Sequence, residues 1–424
     1  MKMKSLLIGI TITSVFVCSS AFASPAQDLF EQAAKYLTEE YYGFAGGNVA
    51  VLVQRYRDEL QRACALAGNG CSFDIAREVI QHMLNDLNDP HTYLIPAEKK
   101  ASAQNPVEDA STPRIGAAAV PVEGSNDLVV TDVRPDGAAG EAGLMRGDRI
   151  VAFNGNGLPS GKNENLKAYF QIIRKGAPFT ANIIRDGIKP LEINLKPRIA
   201  NSPWLPFVRK MPQLPSEVVV IRVTDYETGG QVGSRVHSLV NRAQDNGAKA
   251  IIIDERDNPG GALTECTTAS GAFLESVAVT LSTRREKITY GFKDGASYGA
   301  TGTQRYTFYK VPKVAAWTGK VVVLVNSDSA SCAEEFAENL QLQKRATIIG
   351  EPTFGILNTG LFTLGLMDGS GLSVTSVRVY DQNNNLFPER VTPDIAIKDD
   401  LDELAKSGRD VMLEKALEVL GYIK

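Results

Sequence analysis

The segment Val321-Val-Val-Leu-Val-Asn-Ser-Asp-Ser-Ala-Ser331-Cys-Ala-Glu-Glu-Phe-Ala337 runs from an apolar block through a small-residue turn into a helical pattern. The β-branched run 321–325 suits a short buried strand, and the apolar residues after Ser331 recur at helical spacing. At that junction the Ser331 hydroxyl can stand clear of the strand, beside the free N–H groups of the helix's first turn. The pattern predicts a serine nucleophile or an ordinary Ser N-cap, with Glu334 or Glu335 as capping-box partner.

The N-terminus has the features of a secretory signal peptide. Two lysines precede an apolar core from Leu6 to Val17, and Ala21-Phe22-Ala23 offers a small-residue cleavage site before Ser24. Residues 1–23 are therefore predicted to be a signal peptide, cleaved after Ala23, which implies a periplasmic or secreted protein. The net charge of -4 is spread along the sequence and argues against nucleic acid as a partner.

Four cysteines follow the predicted signal peptide. Cys64 and Cys71 flank a tight segment and form a plausible local pair, since an exported protein meets an oxidising compartment. Cys266 and Cys332 lie beside the two glycine- and serine-rich motifs, and their spacing leaves a disulfide and two buried thiols equally open. No Cys/His cluster has metal-ligand spacing, and the protein has only three histidines, so neither a metal nor another cofactor is predicted.

The first part of the mature protein, residues 24–105, shows helical periodicity and is predicted to form a helical N-terminal domain. Its last stripe ends in Leu87-Asn-Asp-Pro-His91-Thr-Tyr-Leu-Ile-Pro96, where the prolines stop the helix and leave His91 on a loop. A lone loop histidine is more often solvated than catalytic. The Ala/Ser/Asn/Pro-rich stretch 101–113 is typical of a linker.

Residues 113–198 have a different sequence pattern, which predicts short strands and one helix. The run Pro135-Asp-Gly-Ala-Ala-Gly-Glu-Ala-Gly-Leu-Met-Arg-Gly-Asp148-Arg-Ile150 resembles the corresponding part of a PDZ domain closely. The resemblance implies that an extended peptide, typically the C-terminus of a protein, adds as a strand beside the helix 163–174. Backbone N–H groups of Ile115, Gly116 and Ala117 would hold its carboxylate.

Residues 199–424 alternate strands and helices, which predicts an α/β core domain with a mostly parallel sheet. Two loops that could take part in chemistry follow strands: Asp254-Glu-Arg-Asp-Asn-Pro-Gly-Gly261 and the Ser331 turn. Sites in such sheets lie at the carboxyl ends of the strands. The whole protein is thus predicted to be α/β and multidomain, with a helical N-terminal region, a β-rich PDZ domain and an α/β core.

The order of the Asp254–Gly261 segment, the Ser329-Ala-Ser331 segment and Gly350-Glu-Pro-Thr-Phe-Gly355, after a PDZ region, resembles the carboxyl-terminal processing (tail-specific) serine peptidases. The resemblance covers nearly the whole mature protein. It implies that Ser331 attacks a peptide carbonyl and that the amides of Gly260, Gly261 and Cys332 stabilise the oxyanion. Proteins or peptides with exposed C-termini would be the substrates.

The sequence departs from the family at the general base. In the usual Ser-Lys members a lysine follows the nucleophile by 25 residues, but that position is Ile356, and Gly360 stands where a glutamine is usual. Isoleucine cannot accept a proton, and an unactivated serine is a weak nucleophile. Either another base serves, or the protein is inactive.

A second branch of the superfamily, resembling the tricorn protease core and a chlamydial secreted protease, uses Ser, His and Glu. By that resemblance His91, in Asp89-Pro-His91-Thr, is the base, and Glu389, in Phe387-Pro-Glu389-Arg, orients its imidazole. Ser-Lys members often carry a similar Asp-Pro-His-Thr segment without using the histidine. A loop glutamate beside Arg390 is also commonly a surface ion pair.

Three functional hypotheses follow. The first is an exported serine endopeptidase that captures C-termini with its PDZ domain and cleaves through Ser331 with His91 as base. The second is a pseudopeptidase whose PDZ domain and inactive core bind peptides or regulate a partner protease, as Ile356 and Gly360 suggest. The third is a peptidoglycan-linked or substrate-activated protease, whose base is supplied only after the PDZ domain rearranges against the core.

Overall fold

A computed structural model describes residues 24–423 except 46, 68–69, 99–111, 162, 188, 200–203, 210, 212–213 and 228. The predicted signal peptide and nearly all of the predicted linker lie outside the described residues. Within them the helices are α1 (Pro25–Glu40), α2 (Val49–Ala67), α3 (Phe73–Leu87), α4 (Ala138–Glu141), α5 (Glu164–Arg174), α6 (Val232–Asp245), α7 (Leu263–Ser270), α8 (Cys332–Leu342), α9 (Leu401–Ser407) and α10 (Val411–Leu420). None of these helices has the length and apolarity that a membrane span requires.

The strands of the described residues fall into four sheets. They are β1 (Tyr93–Ile95), β2 (Pro113–Arg114), β3 (Ala117–Pro121), β4 (Leu128–Val133), β5 (Arg149–Phe153), β6 (Asn156–Gly157), β7 (Phe179–Arg185), β8 (Lys189–Leu195), β9 (Arg198–Ile199), β10 (Phe207–Val208), β11 (Val218–Arg222), β12 (Ala250–Asp254), β13 (Ser276–Ser282), β14 (Lys287–Lys293), β15 (Ala296–Thr301), β16 (Gln304–Lys310), β17 (Lys320–Val325), β18 (Thr347–Gly350), β19 (Thr359–Gly365), β20 (Gly371–Tyr380) and β21 (Ile395–Ala396).

The protein divides into two compact units, and the first comprises the described residues of Met1–Glu39, Ala45–Ala97 and Thr363–Ser373. Helices α1, α2 and α3 pack here through apolar stripes at helical spacing, with Leu29 and Ile80 fully buried. Strand β1 pairs antiparallel with residues 371–373 at the start of β20. A disulfide joins Cys64 to Cys71, so the local pair that the spacing suggested is present.

The second unit comprises the described residues of Glu40–Phe44, Glu98–Phe362 and Val374–Lys424. Its N-proximal part is an antiparallel sheet in the order β3-β4-β5-β7-β8, with β6 paired to β5. Helices α4 and α5 contribute Ala139, Tyr169 and Ile173 to the apolar core of this sheet. This β-rich arrangement with short helices is the one that the PDZ resemblance implies.

A six-stranded sheet in the order β10-β11-β12-β17-β18-β21 forms the centre of the second unit. All its pairings are parallel except that of β10 with β11. The central strands are continuous apolar runs because helices cover both faces. Helices α6, α7 and α8 bury apolar residues such as Val236 and Phe336 against one face, and α10 buries Met412 and Leu413 against the other.

An antiparallel sheet is inserted between α7 and β17. Strands β13 to β16 form a meander, and the last residues of β20 pair with β13. Ser297 and Tyr309, on β15 and β16, reach α7 through hydrogen bonds to the Thr264 carbonyl. The insertion therefore packs against the helix that follows Gly261.

Candidate active site

Ser331 lies at the turn between β17 and α8, as the apolar-to-helical transition predicts. Its backbone is strained, with φ 54° and ψ -115°, a conformation that side-chain-bearing residues rarely adopt. In α/β-hydrolases a strained strand-to-helix turn exposes the nucleophilic serine above the sheet. Ser331 also forms a capping box with Glu334. The local capping prediction and the nucleophile prediction are therefore compatible.

The turn 258–262 lies directly against Ser331. The Ala330 N–H donates to the Asn258 carbonyl at 2.9 Å. Gly260 has φ 97°, and a Cβ built on it would lie 2.7 Å from the Ser331 Cβ and 2.8 Å from the Cys332 nitrogen. A side chain at position 260 would thus collide with the serine. The two glycine- and serine-rich motifs of the sequence meet at this point.

The amide hydrogen bonds of this turn refine the predicted oxyanion donors. The Gly260 N–H donates to the Asn258 side-chain oxygen at 2.9 Å, so it is already used. Among the described residues, the amides of Gly261 and Cys332 donate to no recorded partner. Free amides beside a nucleophile can stabilise a developing oxyanion. Gly261 and Cys332 are therefore the available oxyanion donors. Gly260 has a different role, because its lack of a Cβ lets the turn lie against Ser331.

Glu334 joins the serine turn to the loop 353–356. Its buried carboxylate accepts hydrogen bonds from the amides of Ser331 (2.8 Å), Gly355 (2.8 Å) and Ile356 (3.1 Å) and from the Thr353 hydroxyl (2.6 Å). Burial raises the pKa of Glu334, and these four donors oppose that rise. The sequence identified Glu334 only as a possible capping partner, through its spacing of three from Ser331.

A buried ionic network begins where β12 ends and the turn 254–261 begins. Arg256 contacts Asp254, Asp399 and Asp410, with N–O distances of 2.8 to 3.0 Å. Burial acts to raise the pKa of Asp254, but the attraction of Arg256 and Arg209 outweighs it and holds that pKa well below its usual range. Removing one member of such a buried pair costs about 3–5 kcal/mol. The network anchors the base of the turn.

The three histidines have different surroundings. His237 is fully buried, and its Nδ1 accepts from the Ala315 N–H (3.0 Å) while Nε2 lies 2.9 Å from the Thr268 carbonyl. Burial lowers the pKa of His237 to about 4. Both nitrogens are thus engaged, which makes His237 a structural residue. His82 is exposed on α3, with Nδ1 3.3 Å from a Glu59 carboxylate oxygen.

His91 lies on the turn between α3 and β1, in the first unit. Its N–H donates to the Asp89 carboxylate at 3.0 Å, and its carbonyl accepts from the Ser373 hydroxyl at 3.2 Å. These backbone contacts fix the turn and leave the half-buried imidazole out of that hydrogen bonding. The loop placement follows the sequence expectation, and the role of His91 as base stays a prediction.

Glu389 lies beside the loop that contains Ile356. Its carbonyl accepts from the Leu357 N–H at 3.0 Å, and its exposed carboxylate pairs with Arg390 at 2.5 Å. The position expected for a family lysine is held by the half-buried Ile356, whose N–H contacts Glu334. The surface ion pair foreseen for Glu389 is present, and its part in orienting an imidazole stays a prediction.

The predicted carboxylate-binding loop lies at the start of β3. The Ile115 side chain is buried in the core of the PDZ sheet, and Gly116 has φ 76°. The Tyr169 hydroxyl of α5 donates to the Ala117 carbonyl at 2.8 Å. Helix α5 therefore lies against β3, which is the position predicted for the helix beside the bound peptide. Binding of a C-terminus by the amides of Ile115, Gly116 and Ala117 stays a prediction.

Cys266 and Cys332 form a disulfide, which the sequence had left open. With Glu335 they make the one group within the described residues whose Cys, His, Asp or Glu ligand atoms lie close enough for a metal ion. Both sulfurs are bonded to each other, so this group offers no thiolate in the oxidised protein. The donor set therefore does not favour a resident metal.

Glu335 is a buried carboxyl on α8 with an unusual pKa. Burial, together with the nearby Glu255, raises the pKa of Glu335 to about 8, and the hydrogen bond from Asn339 opposes the rise. Its Oε2 has no partner among the described residues. The folded protein therefore keeps a proton on Glu335 at neutral pH that the unfolded protein releases near pH 4.5.

Because that folded-state pKa lies above the unfolded value, the free energy of unfolding should fall as the pH rises from about 4.5 to 8. Glu335→Gln mimics the protonated form, so it should reduce this pH dependence and stabilise the protein at pH 8 by a few kcal/mol, since one pKa unit corresponds to about 1.4 kcal/mol. The burial-raised pKa of Glu255, also about 8, should leave part of the slope. Urea unfolding at several pH values measures the effect.

The exposed Glu123→Gln change is the matched control for that measurement, and it should leave the slope as in the wild type. An unchanged slope in Glu335→Gln would show that Glu335 is already ionised in the folded protein.

Comparison with protein families and characterised proteins gives consistent matches. Residues 217–397 match the model of peptidase family S41, and residues 129–180 match that of the PDZ domain. A carboxy-terminal-processing protease from Bartonella bacilliformis is 26% identical over 355 residues, covering 82% of this protein and 75% of that one. A carboxyl-terminal-processing protease from Synechocystis sp. is 26% identical over 352 residues, covering 80% and 76%.

Solved structures show the same fold. The photosystem II D1 C-terminal processing protease aligns with a TM-score of 0.50 at 20% identity, covering 92% of this protein and 99% of that one. Mature CPAF complexed with lactacystin aligns with a TM-score of 0.50 at 12% identity, covering 93% and 98%. The S41 match spans both the turn 254–261 and Ser331.

Proposed function

Because this protein is a PDZ-containing S41 serine peptidase homologous to the carboxyl-terminal-processing proteases, we propose that it is an exported endopeptidase that recognises substrates by their free C-termini. Ser331 is the nucleophile, and His91 is the general base in place of the family lysine. Glu389 orients the imidazole. The predicted signal peptide, residues 1–23, directs the protein to the periplasm or outside the cell.

The observation that carries this proposal is the geometry of the Ser331 turn. The serine has a strained positive φ, and the unbonded amides of Gly261 and Cys332 belong to the two segments that meet beside it. Such an arrangement suits attack on a peptide carbonyl, because charge that develops on the carbonyl oxygen finds N–H donors already in place. The hydroxyl proton passes to the base, and the base later protonates the leaving amine.

The PDZ part supplies the second half of the proposal. An extended peptide would add beside β3, with its terminal carboxylate on the amides of Ile115, Gly116 and Ala117. Main-chain hydrogen bonds depend little on sequence, so they suit a protease that takes many unfolded proteins. Protein or peptide substrates with accessible C-termini are the partners that this arrangement fits.

A second candidate function is a peptide-binding pseudopeptidase. The observation that favours it is Ile356, whose backbone amide donates to Glu334 and whose side chain offers no proton acceptor where the family has a lysine. In that case the PDZ domain would bind peptides, and the core would serve as a scaffold or regulate a partner protease.

One experiment compares the two candidates and tests C-terminal capture. An unstructured reporter peptide carries a fluorophore and a quencher, and its C-terminus is either free or amidated. The free form should be cleaved with a kcat/KM about tenfold higher or more, because amidation removes hydrogen bonds to a charged carboxylate, worth about 1.5–3 kcal/mol.

Each result has a distinct meaning. Equal cleavage of the two reporters would contradict capture of C-termini. Binding of the free form without cleavage of either reporter would favour the pseudopeptidase. Fluorescence anisotropy measures binding separately from the cleavage rate.

A further inference from the structure

The Cys266–Cys332 disulfide occupies a particular place relative to Ser331. Cys332 directly follows the serine and is the first residue of α8, while Cys266 lies on α7, which begins two residues after Gly261. The bond therefore joins the two segments that carry the available oxyanion donors. Both cysteines are fully buried.

Hydrogen bonds also join the two segments. The Ala330 N–H donates to the Asn258 carbonyl, the Ser329 hydroxyl donates to the Glu255 carbonyl, and the Asn326 side chain bonds both the backbone and the side chain of Asp257. These bonds involve residues that precede Gly261 and Ser331, whereas the disulfide joins the helices that follow them. The Gly261 amide and the Cys332 amide belong to different segments, and the disulfide links those segments covalently on the helix side.

The disulfide lies beside the buried carboxyl of Glu335. The two sulfurs and a Glu335 carboxyl oxygen all lie within 4.8 Å of one another. Reduction would therefore leave two thiols beside a buried carboxyl.

Reduction would also change the distance between the sulfurs. Cleaving the S–S bond takes two electrons and two protons and leaves two thiols. Their sulfurs then separate from bonding to van der Waals distance, a change of roughly 1.5 Å. A misplacement of about 1 Å in a catalytic arrangement can lower the rate about a hundredfold. The Cys332 amide belongs to one of the two residues that the bond restrains.

We propose that the Cys266–Cys332 disulfide is a positioning element of the peptidase site, which holds the Cys332 amide in register with the Gly261 amide. This inference rests on the proposed function. The disulfide does not touch substrate, so its loss should slow attack by Ser331 and leave capture of the peptide by the PDZ domain unchanged. The predicted export to an oxidising compartment favours formation of the bond.

The test compares two double variants, Cys266→Ala/Cys332→Ala and Cys64→Ala/Cys71→Ala. The second removes the other disulfide, in the first unit, and is the matched control. Three quantities are measured on folded protein, well below each melting temperature: kcat and KM for the reporter, the rate of Ser331 labelling by a fluorophosphonate, and peptide affinity by anisotropy.

The Cys266→Ala/Cys332→Ala variant should lose about 10- to 100-fold in kcat and in labelling rate, with KM and peptide affinity within about twofold of wild type. The control variant should match the wild type in all three. A purely stabilising disulfide would lower the melting temperature without separating kcat from KM.

A second measurement applies if the cysteine variant does not fold. The Cys64→Ala/Cys71→Ala protein keeps a single disulfide, so treatment with dithiothreitol acts on Cys266–Cys332 alone and converts the reagent to its cyclic disulfide. Labelling should slow on reduction and recover on reoxidation. Labelling at the wild-type rate in the folded, reduced protein would overturn the inference and leave the proposed function intact. Absence of labelling in the oxidised wild type would overturn both.

Discussion

Ser331→Ala should abolish peptide hydrolysis, with a loss of about 10⁴-fold or more in kcat/KM for the reporter peptide. The substitution removes the nucleophile, and what remains is the small acceleration that bound substrate and oxyanion donors give alone. Peptide affinity should stay nearly unchanged, because the proposed capture site lies in the PDZ part. The backbone hydrogen bond from position 331 to Glu334 does not involve the hydroxyl.

Ser327→Ala is the control for that variant. Ser327 is exposed on the same turn, four residues before Ser331, and its substitution should leave the cleavage rate unchanged. Full activity in Ser331→Ala would exclude Ser331 as the nucleophile, however well the fold matches S41 peptidases.

His91→Gln should lower kcat by about 10³-fold and leave KM nearly unchanged. A general base typically contributes about 10²- to 10⁴-fold, and glutamine cannot take the hydroxyl proton. Reporter cleavage over a range of substrate concentrations measures kcat and KM separately.

His82→Gln is the matched histidine control, because His82 is exposed on α3 and pairs with the Glu59 carboxylate. It should retain wild-type kcat and KM. Full activity in His91→Gln would move the search for a base to the groups around Ser331, of which Glu334 is already hydrogen-bonded to the serine backbone.

The elements with a clear local hydrophobic pattern were predictable from the sequence. The apolar run 321–325 became β17, and the helical spacing after Ser331 became α8. Alternation of strands and helices predicted the parallel sheet, because the helices that connect parallel strands cover the two faces of the sheet. The β-rich sheet β3–β8 was predicted from the resemblance of residues 135–150 to a PDZ domain.

The antiparallel insertion β13–β16 was not foreseen. Its strands mix apolar and exposed polar residues, and strand β16 is exposed along most of its length. Such an edge strand carries no strong alternation, and the pairing of the sheet depends on partners distant in sequence, such as β20 with β13. Local pattern gives little information on pairings of this kind.

The sequence predicted which segments form the Ser331 site, and the structure adds the hydrogen bonds that change the roles of individual residues. The resemblance implied Gly260, Gly261 and Cys332 as oxyanion donors, but only the tertiary structure shows that the Gly260 amide donates to Asn258. Spacing left Glu334 and Glu335 open as the capping partner, and the bonds of Glu334 to the loop 353–356 depend on long-range packing. The Cys266–Cys332 bond joins residues 66 apart, which no spacing rule could have paired.

The most direct test of the central claim is covalent labelling of the wild-type protein with a fluorophosphonate, followed by mass spectrometry of its peptides. If Ser331 is an activated nucleophile, the reagent should add once per molecule, at Ser331, and a tight-binding peptide substrate should slow the reaction. Absence of labelling at Ser331 under conditions in which the peptide binds would contradict the account and leave a peptide-binding protein in its place.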